Sequence, residues 1–359
     1  MNIAKIRNKA RKAVFSFKEF LVVERPMRTM GMIFMVFITS TSVILAIAWY
    51  KNSGQIGITV RPIEKEEQKA LYFRAIDGST LTTPEASTIN YTAVMIDNIS
   101  EAFPQSGINA VPLIYEAPVE GVATRLMVVL PINGSNITKI GPVRSVRPYF
   151  IDWAKEYDAA LVHVGGSPEA LTKIQAWPKH DLDEFRYGSS FWRDTSRTRP
   201  HNVYTSTALL EKVLSDMGTK PFALQTWSYS DKPAETALAD TTEKITPYEK
   251  LGFTWQYDMT KKAYTRYFNN RPMKTADGKS ITAKNIIIME TTVTTIDNEG
   301  RKKIKTTGTG KVKLYRDGKL SSGTWQKESA TSRTVFLDDA GEELPLARGT
   351  TWIEVVDNN

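Results

Sequence analysis

The chain has no cysteine and only three histidines among 359 residues. That excludes disulfides, a thiol nucleophile, a lipid-modified cysteine anchor and any Cys/His zinc-ligand spacing. Neither a Walker loop nor a G-x-G-x-x-G fingerprint is present, so the common nucleotide cradles are absent as well. Gly165-Gly166-Ser167 is not a nucleophile elbow, because proline follows the serine, and Ser167 reads instead as a helix N-cap. No period of 20 to 50 residues recurs, which argues against a solenoid.

Positive charge is unevenly spread. The first 28 residues hold eight basic side chains against Glu19 and Glu24, a net +6 of the overall +8, so everything after Arg28 carries only +2. A basic pI of about 9.3 therefore belongs mainly to the tail and gives little support to nucleic-acid binding. From Thr29 to Tyr50 there is no charge over 22 residues, close to the ~20 that span a bilayer as helix. The basic flank precedes this run, and Trp49 and Tyr50 end it at the level of an interfacial aromatic belt. The expectation is a basic cytoplasmic tail (1–28), a transmembrane helix (29–50) and everything later outside the cytoplasm. A cleaved signal peptide is the competing reading, but the run is long for an h-region and lacks a small-x-small exit.

Residues 51–87 are polar and read as a stalk. Residues 88–245 then alternate short apolar runs (YTAVMIDN, TRLMVVLP, AALVHVGG) with helix signals. Pro148 opens YFIDWAKEYDA, Ser167-Pro168 caps EALTKIQAW, and Ser206 precedes TALLEKVLSDM, which Gly218 ends. That alternation predicts an α/β mixed layer domain. Residues 246–359 hold β-branched and aromatic runs parted by turn pairs such as Asp277-Gly278 and Asp317-Gly318, which predicts a mostly β domain.

Chemistry is sought where charge interrupts apolar strands. Asp97, Glu116, Glu120, Arg125, Arg144 and Arg147 all stand at or near predicted strand ends, where side chains of an open sheet converge on a crevice. Planar guanidinium forks match phosphate or carboxylate oxygens, and carboxylates at Asp97 and Glu116 or Glu120 would hold a divalent cation such as magnesium. A second group, Arg193, Arg197, Arg199, His201 and Asn202, lies in FWRDTSRTRPHNVY; its arginines suit an anion and His201 suits proton transfer near neutral pH. The bland alternatives are a buried ion-pair network for the first group and carbonyl-capping arginines for the second. His163, inside AALVHVGG, reads as a satisfied core residue.

Several long blocks occur in an order that resembles the YerB-like family of bacterial lipoproteins, a two-part domain of unknown function. They are VMIDN, PQSG, IYEAPVEGVATRLMVV, IGPVRSVRPYFIDWAKEYDAALVHVGGSPEAL, FWRDTSRTRPHNVYTS, LYRDGKLSSGTWQK and RGTTWIEVV. The resemblance implies the outer face of a bacterial cytoplasmic membrane, with a transmembrane helix here in place of the lipidated cysteine. It carries over no catalytic residue. The resulting expectation is a membrane-tethered cell-envelope protein that binds, or also processes, an anionic wall-polymer or polyprenyl-pyrophosphate ligand. The alternative is a non-enzymatic scaffold whose partner is another envelope protein.

Overall fold

The computed structural model describes residues 40–51, 71–84, 88–232 and 244–358, and separates the chain into one unit up to Lys69 and another from Ala70 onward. In the first unit, residues 40–51 are helical and expose Val43, Ile44, Leu45, Ile47, Trp49 and Tyr50. Among the described residues no helix is long and apolar enough to cross a membrane. The expected basic tail, residues 29–39 of the expected span and most of the expected stalk lie outside the described residues.

The second unit is mostly sheet. Its strands include β1 (Tyr91–Asp97), β2 (Leu113–Pro118), β3 (Thr124–Pro131), β4 (Ala160–His163), β5 (Asp181–Asp183), β6 (Ile245–Tyr248), β7 (Phe253–Asp258) and β8 (Ala263–Phe268). Further on come β9 (Asn285–Thr291), β10 (Gly308–Arg316), β11 (Lys319–Lys327), β12 (Val335–Leu337) and β13 (Thr351–Asp357). Ten of these form one mixed sheet in the order β12-β11-β10-β9-β13-β2-β3-β1-β4-β5. The last strand, β13, lies between β2 and β9 and runs parallel to both. The sheet is therefore continuous across the two stretches that composition separates near residue 245.

Local chemistry explains the pieces. β1 and β3 are buried along their whole length, as expected for continuous apolar runs at the sheet centre. Asp317 and Gly318 both take positive φ, at 54° and 77°, which closes the two-residue hairpin pairing Arg316 with Lys319. The three expected helices are present: α1 (Pro148–Lys155), α2 (Pro168–Ile174) and α3 (Thr207–Met217). Ser167 and Ser206 each accept a bond from a backbone amide of the first turn, and Gly218 ends α3 in the left-handed conformation. So the mixed α/β expectation is met only in part, since sheet dominates and the helices are few and short.

Core residues cover both faces of the large sheet. On one, Tyr115 stacks on Trp153 of α1 at 5.3 Å. On the other, the small sheet built on β6, β7 and β8 packs down, with Trp255 against Trp352 at 5.0 Å.

Candidate functional site

Asp97 ends β1 opposite Arg125, the second residue of β3, so the two share a register position. Residues beside β1 supply the rest: Val143 bridges to Ile96, and the Arg144 amide donates to the carbonyl of Met95 at 2.9 Å. That fixes Arg144 next to Asp97, with Nε 2.9 Å from Oδ2. His201 reaches the same oxygen through Nδ1 at 2.6 Å. It comes from a loop held by a short hairpin in which Trp192 and Arg193 pair with Tyr204 and Val203. Three cis X–Pro bonds lie in these loops, at Phe103–Pro104, Gly141–Pro142 and Arg199–Pro200.

Asp97 is 1% exposed while Arg144 keeps 24% of its side chain in solvent, so the carboxylate is sunk and the guanidinium is presented. Arg125 is buried and anchors Nη1 on the Ser145 carbonyl at 2.8 Å. Burial pushes its pKa down to about 10, with the Arg147 and Arg144 charges adding to the shift and Asp97 and Glu120 opposing it. Arg147, the N-cap of α1, forms a bidentate pair with Glu120 at 2.5 and 2.6 Å. Burial works to raise the Glu120 pKa, but the Arg147 hydrogen bonds and charge outweigh it and the net shift is downward.

The set holds three arginines and one histidine against two carboxylates. Asp97 Oδ1, Arg125 Nε and Arg144 Nε are buried without hydrogen-bond partners, so Arg144 meets Asp97 as an ion pair rather than through an aligned hydrogen bond. Among the described residues, the two terminal nitrogens of Arg144 likewise have no hydrogen-bond partner.

Glu116 goes elsewhere. Strand alternation turns it to the opposite face, under the small sheet, where it accepts from Arg266 Nη2 at 2.6 Å, Thr124 Oγ1 at 2.7 Å, Asn98 Nδ2 at 3.0 Å and Trp352 Nε1 at 3.1 Å. Arg266 bridges from there to Glu354 at 3.0 Å, and Trp255 Nε1 donates to the same Glu354 oxygen at 2.7 Å. The guanidinium lies 4.4 to 5.1 Å from the rings of Phe253, Trp352 and Trp255. Glu116, Arg266 and Glu354 are all fully buried. Two carboxylates therefore share one cation. Burial, reinforced by the Glu116 charge, pushes the Glu354 pKa up to about 8 despite Arg266.

The second arginine group divides. Arg197 caps the carbonyls of Pro104, Glu101 and Phe103 at 3.1 to 3.4 Å. Arg193 binds Asn202 at 3.3 Å and Glu184 at 3.0 Å, and Arg199 is exposed. Only His201 joins Asp97. The expected carboxylate trio does not assemble either, since Asp97, Glu116 and Glu120 each answer a different arginine. Among the described residues no group of three or more His, Asp or Glu side chains is placed to hold a metal ion. His163 is a satisfied core residue, bonded at 2.9 Å to both the Gly165 carbonyl and Asp181.

Sequence reasoning missed Arg266 and Glu354. The available signal was a single arginine inside the otherwise aromatic and β-branched run AYTRYF, and a single glutamate inside TTWIEVV. It also left unassigned the link between the two clusters. Gln105 Nε2 donates to Asn98 Oδ1 at 2.9 Å and to the Asp97 carbonyl at 3.2 Å, while Asn98 donates to Glu116.

Comparison with known proteins agrees with this architecture. Residues 78–220 match the family described as "Protein of unknown function (DUF3048) N-terminal domain" and residues 244–353 match its C-terminal domain. The "Putative lipoprotein YerB" of Bacillus subtilis (strain 168) is 31% identical over 275 residues, 74% of this chain and 80% of that protein. The crystal structure of Bacillus subtilis YerB superposes with a TM-score of 0.68 at 27% identity, covering 79% of this chain and 96% of that one. The chain belongs to this two-part, YerB-like family.

Proposed function

We propose that this member of the YerB-like family is a membrane-tethered, extracytoplasmic envelope protein that binds an anionic ligand of the lipid-linked pyrophosphate or wall-polymer class at the Asp97–Arg144 cluster. The single observation that carries the reading is the presentation of Arg144. Its Nε faces a sunken carboxylate, its side chain keeps 24% of its surface in solvent, and its terminal nitrogens have no hydrogen-bond partner among the described residues. A guanidinium held this way offers two parallel donors to one phosphate or carboxylate. The buried Arg125 adds positive charge from beneath, where water screens it little. Location is supported by the uncharged run from Thr29 to Tyr50 with its basic flank, and by the lipoprotein name of the Bacillus subtilis relative.

Processing of the ligand would fall to His201. With Nδ1 turned to Asp97, the ring is oriented as in other carboxylate–histidine pairs and Nε2 remains for proton transfer. A second reading, a non-enzymatic scaffold, draws on the Glu116–Arg266–Glu354 network, which holds two of the arginine-matched carboxylates in a purely structural role.

The test is a titration of the full chain in detergent with a short-chain polyprenyl pyrophosphate, followed by phosphorus NMR. Saturable broadening of the phosphate resonances is expected for the wild type and not for Arg144→Ala. Slow release of phosphate that disappears in His201→Gln, with binding retained, would assign processing. Equal broadening in wild type and Arg144→Ala would contradict the reading.

A further inference from the structure

Arg147 shows in occupied form what Arg144 offers open. Its Nε and Nη2 donate to the two oxygens of Glu120 at 2.5 and 2.6 Å, the same two-point fit by which a guanidinium grips a phosphate. The two arginines are three positions apart, so their backbones are separated by at most about 11 Å even in a fully extended chain. Arg125 is within electrostatic reach of both, is 6% exposed, and has a buried Nε without an acceptor. Two guanidinium forks therefore share one buried cation. One fork is filled by a carboxylate of the protein itself, and the other is not.

The acid that fills the Arg147 fork is also the part that solvent reaches. Its side chain is 28% exposed against 13% for Arg147. Glu120 sits in the tight turn between β2 and β3, where Gly121 takes a φ of 64° with no atom within 4 Å of a Cβ position, and Val122 is 84% exposed. The bond across that turn, from the Ala123 amide to the Glu120 carbonyl, is 3.4 Å, longer than an ordinary N–H···O bond. Beside it stands a second cation. A Cβ on Gly300 would lie 3.1 Å from the Gly121 nitrogen, and the next residue, Arg301, is within electrostatic reach of Glu120. An anion that replaces Glu120 on Arg147 thus finds a fork already desolvated, and the displaced acid returns to water near Arg301. No buried charge is left unpaired by the exchange.

Resting on the anion-binding reading above, we propose that Arg147 is the second phosphate contact of that site and that Glu120 is its built-in competitor. A ligand with two linked phosphates sets one on Arg144 and with the other displaces Glu120 from Arg147. A lone phosphate is satisfied by Arg144 and leaves the Glu120 pair closed. The site then selects diphosphates over monophosphates, and Arg147 makes the selection.

The experiment is calorimetric titration of the full chain in detergent with inorganic phosphate, inorganic pyrophosphate, and a short-chain polyprenyl monophosphate and diphosphate. Each diphosphate should bind at least about tenfold tighter than its monophosphate, the worth of one charge-assisted hydrogen bond. Comparing the inorganic with the polyprenyl pair tells a free diphosphate from a lipid-linked one. Glu120→Gln should tighten diphosphate binding about tenfold further, and Arg147→Ala should reduce it to the monophosphate level. The decisive variant combines the two. An acid that acts by occupying the fork gives no gain once the fork is removed, whereas an acid that only repels anions gives the same gain with or without Arg147. Thermal melts check that each variant is folded. Diphosphate binding that is lost in Arg144→Ala yet unchanged in Glu120→Gln would overturn the competitor and leave the anion site standing, and so would an equal gain in the combined variant. Equal affinity for mono- and diphosphates would overturn the role of Arg147. No binding of any probe by the wild type or by Glu120→Gln would overturn this proposal and the anion-binding reading together.

Discussion

Arg144 and Arg266 each meet a carboxylate carried by a central strand, on Asp97 and Glu116, at 2.9 and 2.6 Å, yet their surroundings differ in every other respect. Around Arg266 every direction is closed by a carboxylate or an aromatic ring, so its charge is spent within the protein. Around Arg144 the Nε side is closed by Asp97 and about a quarter of the side chain, 24%, stays open to solvent. The difference teaches that residue type and strand-end position do not by themselves make a site. What separates a ligand-facing arginine from a structural one is access to solvent: Arg266 is fully buried between two carboxylates and three rings, even though its Nε has no acceptor, whereas the Arg144 side chain keeps 24% of its surface in water.

The comparison breaks most visibly on stability. Arg266→Met strands two carboxylates in a sealed interior and should cost about 3 to 5 kcal/mol in urea unfolding. Arg144→Ala leaves Asp97 its His201 bond, and should cost about 1 kcal/mol or less, as partly exposed pairs do. Similar losses in the two variants would erase the distinction. Replacing the whole triad by Glu116→Gln, Arg266→Met and Glu354→Gln should recover much of the Arg266→Met loss, because no unpaired charge is left inside.

Next in size is the link between the clusters. Asn98→Ala removes one of the donors on Glu116 Oε1 and the acceptor of Gln105, and should cost about 1 to 3 kcal/mol, the penalty for newly unsatisfied buried groups. Chemical denaturation of this variant beside the near-isosteric Asn98→Leu separates the loss of the hydrogen bonds from the loss of volume.

The two regions should also respond to pH with opposite signs. Glu354 is raised to about 8 in the folded state, above its unfolded value of about 4.3. Its protonation therefore favours folding fully at acid pH, and that contribution is lost as pH rises through about 8. Glu120 is shifted downward, so its contribution is present above the unfolded value and disappears as pH falls through its lowered folded value. Melting curves across this range should show Glu354→Gln flattening the alkaline limb and Glu120→Gln flattening the acid limb. Exchange of those two effects would reverse the assignment. The smallest change is expected at the exposed Arg199, where alanine should shift stability by less than about 0.5 kcal/mol.

Local signals carried much of the fold. Pro148, Ser167-Pro168 and Ser206 mark the three helix starts, and the uninterrupted runs at Tyr91–Asp97 and Thr124–Pro131 mark buried central strands. The open cluster was half legible, because Asp97, Arg125, Arg144 and His201 are all charged or titratable groups breaking apolar or turn-rich sequence. The sealed cluster was not. Its formation depends on β13 pairing with β2 at Glu354 and Glu116, a contact across more than two hundred residues that no periodicity encodes. Glu116 and Glu120 looked equivalent in PLIYEAPVEG, and it is strand alternation that sends Glu116 under the small sheet while Glu120, beyond the strand end, meets Arg147. Likewise the three arginines of the RDTSRTRPHN stretch look alike in sequence, although only backbone geometry decides which of them caps carbonyls.

The most direct test of the central claim pairs Arg144→Lys with Arg266→Lys, each measured by calorimetric titration with a polyprenyl pyrophosphate analogue and by thermal melting. Lysine keeps the charge and loses the planar fork in both places. Arg144→Lys should weaken ligand binding by at least about 2 kcal/mol with a nearly unchanged melting temperature, whereas Arg266→Lys should melt far earlier while its remaining folded fraction binds as the wild type does. A large fall in melting temperature for Arg144→Lys with binding intact would contradict the account, and would make Arg144 the same kind of residue as Arg266.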